Sequence, residues 1–229
     1  MKLSTIYGFV FLLFLLGTTA QAQTEVRTPG DFTKVNSSGS WDVVISLGNK
    51  DEVKLVSKGF DLDKVITEVK DGKLEIKTEK GRHNNVNFTA YVTLRELEAI
   101  GLSGSGNMDV DSDIESRSFS IGNSGSGNIK MQDVDTRTLS VGMSGSGKVM
   151  IEGGTCESAN IGQSGSGSFD ALDLMAEDVK IGKSGSGSTS IGVEGDLKVA
   201  SSGSGNVYIK GEPTNQSVAS SGSGKVIRK

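Results

Sequence analysis

The tetrapeptide Ser-Gly-Ser-Gly recurs through the C-terminal half of the chain and limits its fold more than any other feature. The seven copies begin at Ser103, Ser124, Ser144, Ser164, Ser184, Ser202 and Ser221. The intervals between successive copies are 21, 20, 20, 20, 18 and 19 residues. A unit of this length cannot bury its own apolar face, so it must stack on its neighbours. Flexible Gly/Ser linkers have a similar composition, but a linker has no reason to recur at a near-constant interval.

Apolar and polar residues alternate on both sides of each tetrapeptide. In one unit Phe169 and Ala171 follow the tetrapeptide, and Val179 and Ile181 precede the next copy. Alternation with a period of two predicts strands with one buried face. The sequence therefore predicts an all-β β-solenoid with coils of about 20 residues, in which equivalent side chains form ladders about 4.8 Å apart.

Residues 23–102 are less regular but also alternate, for example in the ranges 41–47 and 86–92. Asp71-Gly72 lies between two such runs and predicts a hairpin. Residues 38–41, Ser-Gly-Ser-Trp, resemble a degenerate copy of the tetrapeptide. We expect residues 23–102 to form atypical coils or a β cap, continuous with the repeat of residues 103–229 in one domain.

The first 22 residues have the pattern of a secretory signal peptide. Lys2 precedes an apolar run from Ile6 to Leu16, and small residues follow as far as Ala22. The run is too short for a transmembrane helix, which needs about 20 apolar residues. We expect cleavage before Gln23 and an exported protein without a membrane span, in the periplasm, on the outer cell surface or in the medium.

Charge and composition argue against several classes of partner. The net charge is -4 and aromatic residues make up 5% of the chain. A nucleic-acid-binding protein generally has a basic surface and stacking aromatic residues, so we expect no nucleic-acid partner. Cys156 is the single cysteine and cannot form an internal disulfide. A buried filler and a reactive or intermolecularly bonded thiol are both open for it, and the first is the simpler interpretation.

Few residues suggest catalysis or metal binding. Asp109, Asp111 and Asp113, followed by Glu115, are the densest acidic group. Such carboxylates could form a hydrolase pair or a Ca²⁺ site, but only one copy of the repeat has them, which favours a solvated face. His83 is the single histidine and has no histidine partner for a metal site or a triad. We therefore predict no catalytic residue, cofactor or metal, and a protein that is not an enzyme.

The repeated serines are the candidate ligand-binding residues, and two orientations are open for them. Facing outward, they would form hydroxyl ladders able to bind a glycan, another protein or ice. Strict alternation would also bury Lys183, which is costly. A corner at Gly122, Gly142, Gly162 and Gly182 would avoid that cost and turn the serines inward, and we prefer this orientation. The residues concerned are Ser124, Ser126, Ser144, Ser146, Ser164, Ser166, Ser184 and Ser186.

The strand of residues 91–102, the Ser-Gly-Ser-Gly-Asn that follows it, and the recurring Gly-Ser-Gly-Asn-Ile/Val coils resemble a family of exported bacterial proteins. That family, common in Bacteroidetes, is described as "putative auto-transporter adhesin, head GIN domain". The resemblance extends from Phe32 to the C-terminus. It implies a right-handed parallel β-helix and provides no catalytic residues.

These observations predict a non-enzymatic, exported β-helix that acts as an adhesion, binding or scaffold module at the cell surface or envelope. The alternative is a carbohydrate-binding or polysaccharide-processing β-helix. The expected partner is a glycan or a cell-surface protein, which the sequence does not identify.

Overall fold

The computed structural model describes residues 23–229, so the predicted signal peptide lies outside the described residues. The described part contains eighteen strands and one short 3₁₀ turn, Leu62–Lys64. The strands are β1 Gln23–Arg27, β2 Lys34–Gly39, β3 Asp42–Leu47, β4 Glu52–Ser57, β5 Val65–Lys70, β6 Lys73–Thr78, β7 Phe88–Leu94, β8 Ala99–Gly104, β9 Met108–Val110, β10 Ile114–Asn123, β11 Ile129–Gly145, β12 Lys148–Gly165, β13 Ser168–Gly185, β14 Thr189–Val193, β15 Asp196–Gly203, β16 Val207–Lys210, β17 Asn215–Ser221 and β18 Val226–Arg228.

The repeat forms the predicted β-solenoid, with about six turns of about 20 residues each. Successive coils pair in parallel and in register, so that Ser144 lies beside Ser164 and Ser164 beside Ser184. The shortened coils keep this register in the tetrapeptide, since Ser184 pairs with Ser202. Insertions and deletions are absorbed elsewhere, as at the irregularity between Ala171 and Met175. The sequence prediction of fold class is confirmed.

Each full coil directs three runs of side chains into a continuous core. In β11 these are Ile129 and Met131, then Val134 and Thr136, then Leu139 with the two alternating residues after it. Each buried side chain packs on its equivalents one coil above and one below, because the strands pair residue for residue. Burial of apolar surface along these ladders is the main stabilising contribution in the described part, where Cys156 is a free thiol.

The N-terminal cap does not follow the order of the chain. Strands β2 and β3 pair in parallel with β8 and β9 on one side and with β6 and β7 on the other. The earliest coil of the chain thus lies between two layers formed by later residues. In the degenerate tetrapeptide, Ser38 and Gly39 pair with Ser103 and Gly104 of the first full copy. The cap is continuous with the repeat in one sheet, but its order could not be inferred from alternation.

Antiparallel strands close the cap. Strands β5 and β6 form the predicted hairpin, with Asp71 and Gly72 in left-handed conformations at φ 51° and 69°. Strand β4 pairs antiparallel with both β7 and β1. Trp41 stacks on Phe88 with ring centroids 4.8 Å apart and covers Gly39. Between residues 23 and 229, no helix has the length and apolar character required to cross a membrane.

Candidate functional site

The serines of the tetrapeptides lie on the outside of the solenoid. Ser124, Ser144, Ser164 and Ser184 are exposed, and so are the second serines of the same copies. The inward orientation that we preferred from the sequence is therefore wrong. No corner interrupts the alternation at the glycine before each tetrapeptide, because that glycine is exposed and its neighbours on either side are buried.

Because the alternation continues without a break, the residue between this glycine and the first serine points into the core. Asn123, Met143, Gln163 and Lys183 all belong to this column, and Lys183 retains only 5% of its exposed surface. The sequence argument treated a buried lysine as too costly. That cost is reduced in the structure by a hydrogen-bond acceptor that the coil itself provides.

The acceptor is the carbonyl group of the last glycine in the same tetrapeptide. Asn123 Nδ2 donates to the Gly127 carbonyl at 2.8 Å. Lys183 Nζ donates to the Gly187 carbonyl at 2.5 Å and to the Asn206 carbonyl of the next coil at 3.4 Å. Burial lowers the pKa of the Lys183 ammonium group, because removal from water disfavours its charged form.

Gln163 makes the same internal contact with Gly167, and its other amide atom, Oε1, accepts a hydrogen bond from Thr189 Oγ1 at 2.5 Å. Sequence reasoning missed this role of the column. The sequence does contain a pattern that indicates this role. A side chain that can donate a hydrogen bond lies four residues before the final glycine of the tetrapeptide in three of these four coils, and Met143 is the exception. A buried carbonyl at that point satisfies a donor in the core.

The tetrapeptide itself forms a tightly stacked bend. The backbone N–H groups of Ser166 and Gly167 both donate to the Gly145 carbonyl, at 3.0 and 2.9 Å. Equivalent pairs of bonds join the neighbouring copies. Gly165 has a φ of 109°, and a Cβ added there would lie 2.5 Å from the Gly145 oxygen. Glycine is required here by both backbone conformation and close packing.

A shallow trough runs across the coils beside this bend and encloses about 710 Å³. Its floor contains one glycine from each of five successive coils, and its rim consists of the first serines of the tetrapeptides. Asn36 closes the N-terminal end, where its side chain occupies the space beside Gly101. The floor is formed by Gly101, Gly122, Gly142, Gly162 and Gly182, and the rim by Ser103, Ser124, Ser144, Ser164 and Ser184.

The fold does not require glycine along most of this floor. A Cβ at Gly142 or Gly182 would meet no atom within 4 Å, and one at Gly162 would lie 3.8 Å from the nearest atom. None of these three residues has a left-handed φ. Glycine weakens a strand, and in strands it often marks a place where a ligand or another backbone approaches closely. The trough floor therefore lacks side chains, although glycine at these positions lowers the stability of the β-sheet.

The trough continues across the last coils into a second depression of about 750 Å³. Ala200 and Ala219 take the place of the floor glycines there, and Ser202 and Ser221 continue the rim. Among the residues that line the two depressions, no carboxylate is present. The surface therefore offers hydroxyl groups, backbone atoms, Cα methylene groups and the two alanine methyl groups, without an acidic side chain, and the largely buried Lys183 lies beneath it.

The acidic group of the first full coil lies on another face. Asp111, Asp113 and Glu115 are exposed, and Asp109 is half-buried. Desolvation, followed by the negative charges of Asp111 and Asp42, raises the pKa of Asp109. Nearby Lys130 forms an ion pair with Glu152 at 2.8 Å. Within residues 23–229 no cluster of three or more His, Cys, Asp and Glu side chains could hold a metal ion.

The two single residues of interest are apart from the trough. His83 contacts the cap, where its Nε2 lies 2.9 Å from the Glu79 carbonyl oxygen and its ring packs edge-on against Phe60. Cys156 is buried, and burial raises the pKa of its thiol to about 11. The thiolate is the reactive form, so this environment makes Cys156 inert near neutral pH.

Solved structures with the same fold come from species of Bacteroides and Parabacteroides. A putative adhesin from Bacteroides fragilis has a TM-score of 0.83 and 21% identity, with 92% of this chain and 98% of that chain covered. A putative adhesin from Parabacteroides merdae has a TM-score of 0.71 and 18% identity, with 90% and 96% covered. A Parabacteroides distasonis structure described as a putative lipid binding protein has a TM-score of 0.66 and 21% identity, with 91% and 96% covered. At these identities the similarity establishes the fold alone.

No curated protein matches the sequence. A family model described as "Putative auto-transporter adhesin, head GIN domain" matches residues 31–213. This match includes the cap after β1 and the residues that line the first depression of the trough, and it ends before the last coil; it agrees with the resemblance found in the repeated motifs. The chain therefore belongs to the family of the "Putative auto-transporter adhesin, head GIN domain".

Proposed function

We propose that the chain is a non-enzymatic adhesion module of an exported protein, and that its ligand lies in the trough. The observation that carries this proposal is the column of floor glycines. Four of them, Gly122, Gly142, Gly162 and Gly182, are exposed, extended and free of steric conflict, so an alanine or a β-branched residue would stabilise the strand there. A ligand that approaches the backbone closely explains why side chains are absent there.

The shape and chemistry of the trough favour an extended, uncharged ligand. Rim serines stand about 4.8 Å apart from coil to coil, because they belong to paired strands. A chain lying along the solenoid axis would meet one hydroxyl group per coil on a flat glycine floor. A glycan offers hydroxyl groups along its whole length and is the ligand class that fits best, which agrees with the family's description as adhesins.

Binding fits the trough better than catalysis does. Glycoside hydrolysis generally needs two carboxylates on either side of the bond to be cleaved. The carboxylates of the first full coil lie outside the trough lining, and three of the four are exposed. An acyl chain is the second candidate ligand, because the floor consists of Cα methylene groups and a structural neighbour is described as a lipid binding protein.

Filling the trough tests this proposal. The double variant Gly142→Val, Gly162→Val adds side chains at the centre of the floor and should keep the fold, because both positions have room. The control is Asn160→Val, which adds the same side chain two residues before Gly162 on the same outward face, beyond the trough lining. Binding of residues 23–229 would be measured on an array of bacterial and host polysaccharides and on phosphatidylglycerol vesicles.

The expected result is binding to a polysaccharide that the double variant loses and the control keeps. Vesicle binding with the same pattern would instead support the acyl-chain ligand. Equal binding by the double variant and the parent protein would refute the trough as the ligand site. Export is tested separately by N-terminal sequencing of the protein from fractionated cells, where a mature terminus at Gln23 outside the cytoplasm is expected.

A further inference from the structure

Asn36 is the first side chain in the row of backbone positions that forms the trough floor. It pairs in register with Gly101 of β8 on one side and with Glu75 of β6 on the other. From Gly101 onward, the next four positions in the same register are glycines, the last of them Gly182. The part of the floor without side chains therefore ends at a single carboxamide group.

The carboxamide of Asn36 lies over Gly101, at the edge of the trough. A Cβ added at Gly101 would overlap the Oδ1 atom of Asn36, and the Cγ atom would be 3.3 Å away. Gly101 thus differs from Gly142 and Gly182, where a Cβ would meet no atom within 4 Å. Asn36 is half-buried and lines the trough, so the space above Gly101 is filled by a polar group that a ligand in the trough can reach.

The strand behind Asn36 prevents an extended ligand from continuing in the same direction. Leu74 and Ile76 of β6 are buried, so Lys73, Glu75 and Lys77 lie on the opposite, outer face of this strand. The Glu75 carboxylate forms ion pairs with Lys73 at 2.8 Å and with Lys77 at 3.2 Å. These long side chains cover the next position in the row. A chain that lies on the floor glycines must therefore end or turn away at Asn36.

The two neighbours of Asn36 in the row leave its carboxamide available to a ligand. Gly101 has no side chain, and both carboxylate oxygens of Glu75 are engaged by lysines. Asparagines elsewhere on the solenoid bond to one another instead, as Asn128 Nδ2 does when it donates to Asn107 Oδ1 at 3.2 Å. Those amides hold successive coils together, whereas the amide of Asn36 is placed where the trough ends.

The chemistry of this group favours the end of a sugar chain. A carboxamide both donates and accepts hydrogen bonds, and so do the hydroxyl groups of a sugar. An acyl chain that ended here would cover the amide and remove its bonds to water without replacing them, which is unfavourable. We propose that Asn36 is a specificity-determining residue that binds the terminal unit of a glycan, so that the trough recognises the end of a chain rather than its middle. This role rests on the proposed function, because it takes the trough as the ligand site.

The test presents each glycan in two orientations. Linear oligosaccharides with more units than the five floor glycines would be attached to an array through their first unit in one set of spots and through their last unit in the other. The protein lacking residues 1–22 is expected to bind a glycan well in only one orientation, because attachment through the recognised unit blocks it.

Two leucine variants separate the carboxamide from the rest of β2. Asn36→Leu keeps a branched side chain at the end of the trough but removes its hydrogen bonds, and it should weaken binding about tenfold. Lys34→Leu is the control, because Lys34 is exposed two residues earlier on the same face of β2 and lies outside the trough lining. The control is expected to bind like the parent protein, with the same preference for one orientation.

Equal binding of the parent protein in both orientations would overturn the role of Asn36, and so would unchanged binding by Asn36→Leu or equal loss in both leucine variants. If the double variant Gly142→Val, Gly162→Val still abolished that binding, the trough would remain the ligand site and only recognition of the chain end would be rejected. A parent protein that binds no glycan in either orientation would reject both. If Asn36→Leu does not fold, Asn36→Ser removes the carboxamide with a smaller side chain and repeats the comparison.

Discussion

Two columns of glycine run side by side along the solenoid. The fold requires glycine in one column and has room for a side chain in the other. In the tetrapeptide bend, Gly165 has a left-handed φ and lies against the backbone of the preceding coil. In the trough, Gly162 lies three residues earlier in extended conformation, with room for a side chain. The bend glycine recurs in all seven copies and the floor glycine in five of them, so recurrence alone separates poorly a residue that the fold requires from one that it merely tolerates. Steric room at the Cβ position does separate them.

The largest expected effect is in the bend. Gly165→Ala places a Cβ 2.5 Å from the Gly145 oxygen and 3.1 Å from the Gly145 nitrogen, in a conformation that alanine rarely adopts. We expect a loss of about 3 kcal/mol or more in unfolding free energy, because strain and overpacking add. Urea denaturation followed by circular dichroism measures it. A change below about 1 kcal/mol would contradict the distinction between the two columns.

A smaller effect, of opposite sign, is expected for the core beneath the trough. Lys183→Met removes a buried charge that donates to two backbone carbonyls rather than to a carboxylate, and it introduces the residue found at Met143 in an earlier coil. Replacement of buried charges by apolar side chains is often stabilising. Part of that gain is offset, because the Gly187 carbonyl loses a donor. We expect a net gain of about 1 to 2 kcal/mol in the same denaturation experiment.

The parent protein should show the matching pH dependence. The pKa of Lys183 is lower in the folded state than in the unfolded state, so the unfolded state binds more protons between the two values. Stability should therefore rise with pH from the lowered pKa up to the unfolded value of about 10.4. This contribution should be missing in Lys183→Met. Identical pH profiles for the two proteins would argue against a lowered pKa of Lys183 in the folded state.

The next effect in size concerns the trough floor. Gly162→Ala should raise the unfolding free energy by about 0.5 to 1 kcal/mol, because alanine loses less conformational entropy in a strand and has room here. The sign is opposite to that expected for Gly165→Ala, three residues away in the same coil. Thermal melts of the two variants in parallel test the contrast directly. Destabilisation by Gly162→Ala would mean that the floor glycines serve the fold.

The smallest effect is expected for the serines. Ser146 is exposed, so Ser146→Leu should change the unfolding free energy by less than about 0.5 kcal/mol. The inward orientation favoured by the sequence would have produced a clear loss through overpacking. Calorimetry of this variant beside the parent protein distinguishes the two orientations. A loss of several kcal/mol would restore the inward orientation.

The coil length, the strand faces and the Asp71-Gly72 hairpin could be predicted because each depends on local periodicity or on one turn. The serine orientation could not. It depended on whether Lys183 can be buried, and the Gly187 carbonyl that accepts its hydrogen bond is placed by the folded bend. The sequence argument also placed a corner at the floor glycines. It did so because the sequence alone does not reveal whether a Cβ would have room at these positions. Both errors concern tertiary surroundings rather than local pattern.

The position of β2 and β3 between strands that come later in the chain has a consequence for how the protein folds. These strands pair with β8 and β9, 65 residues further along in register, as Ser38 does with Ser103. The entropic cost of loop closure grows slowly with length, so bringing these strands together costs about 1 kcal/mol more than pairing residues about 20 positions apart. Each later coil then adds to an existing template through neighbours about 20 residues away. We therefore expect the pairing of β2 and β3 with β8 and β9 to form more slowly than the pairing of neighbouring coils in the repeat.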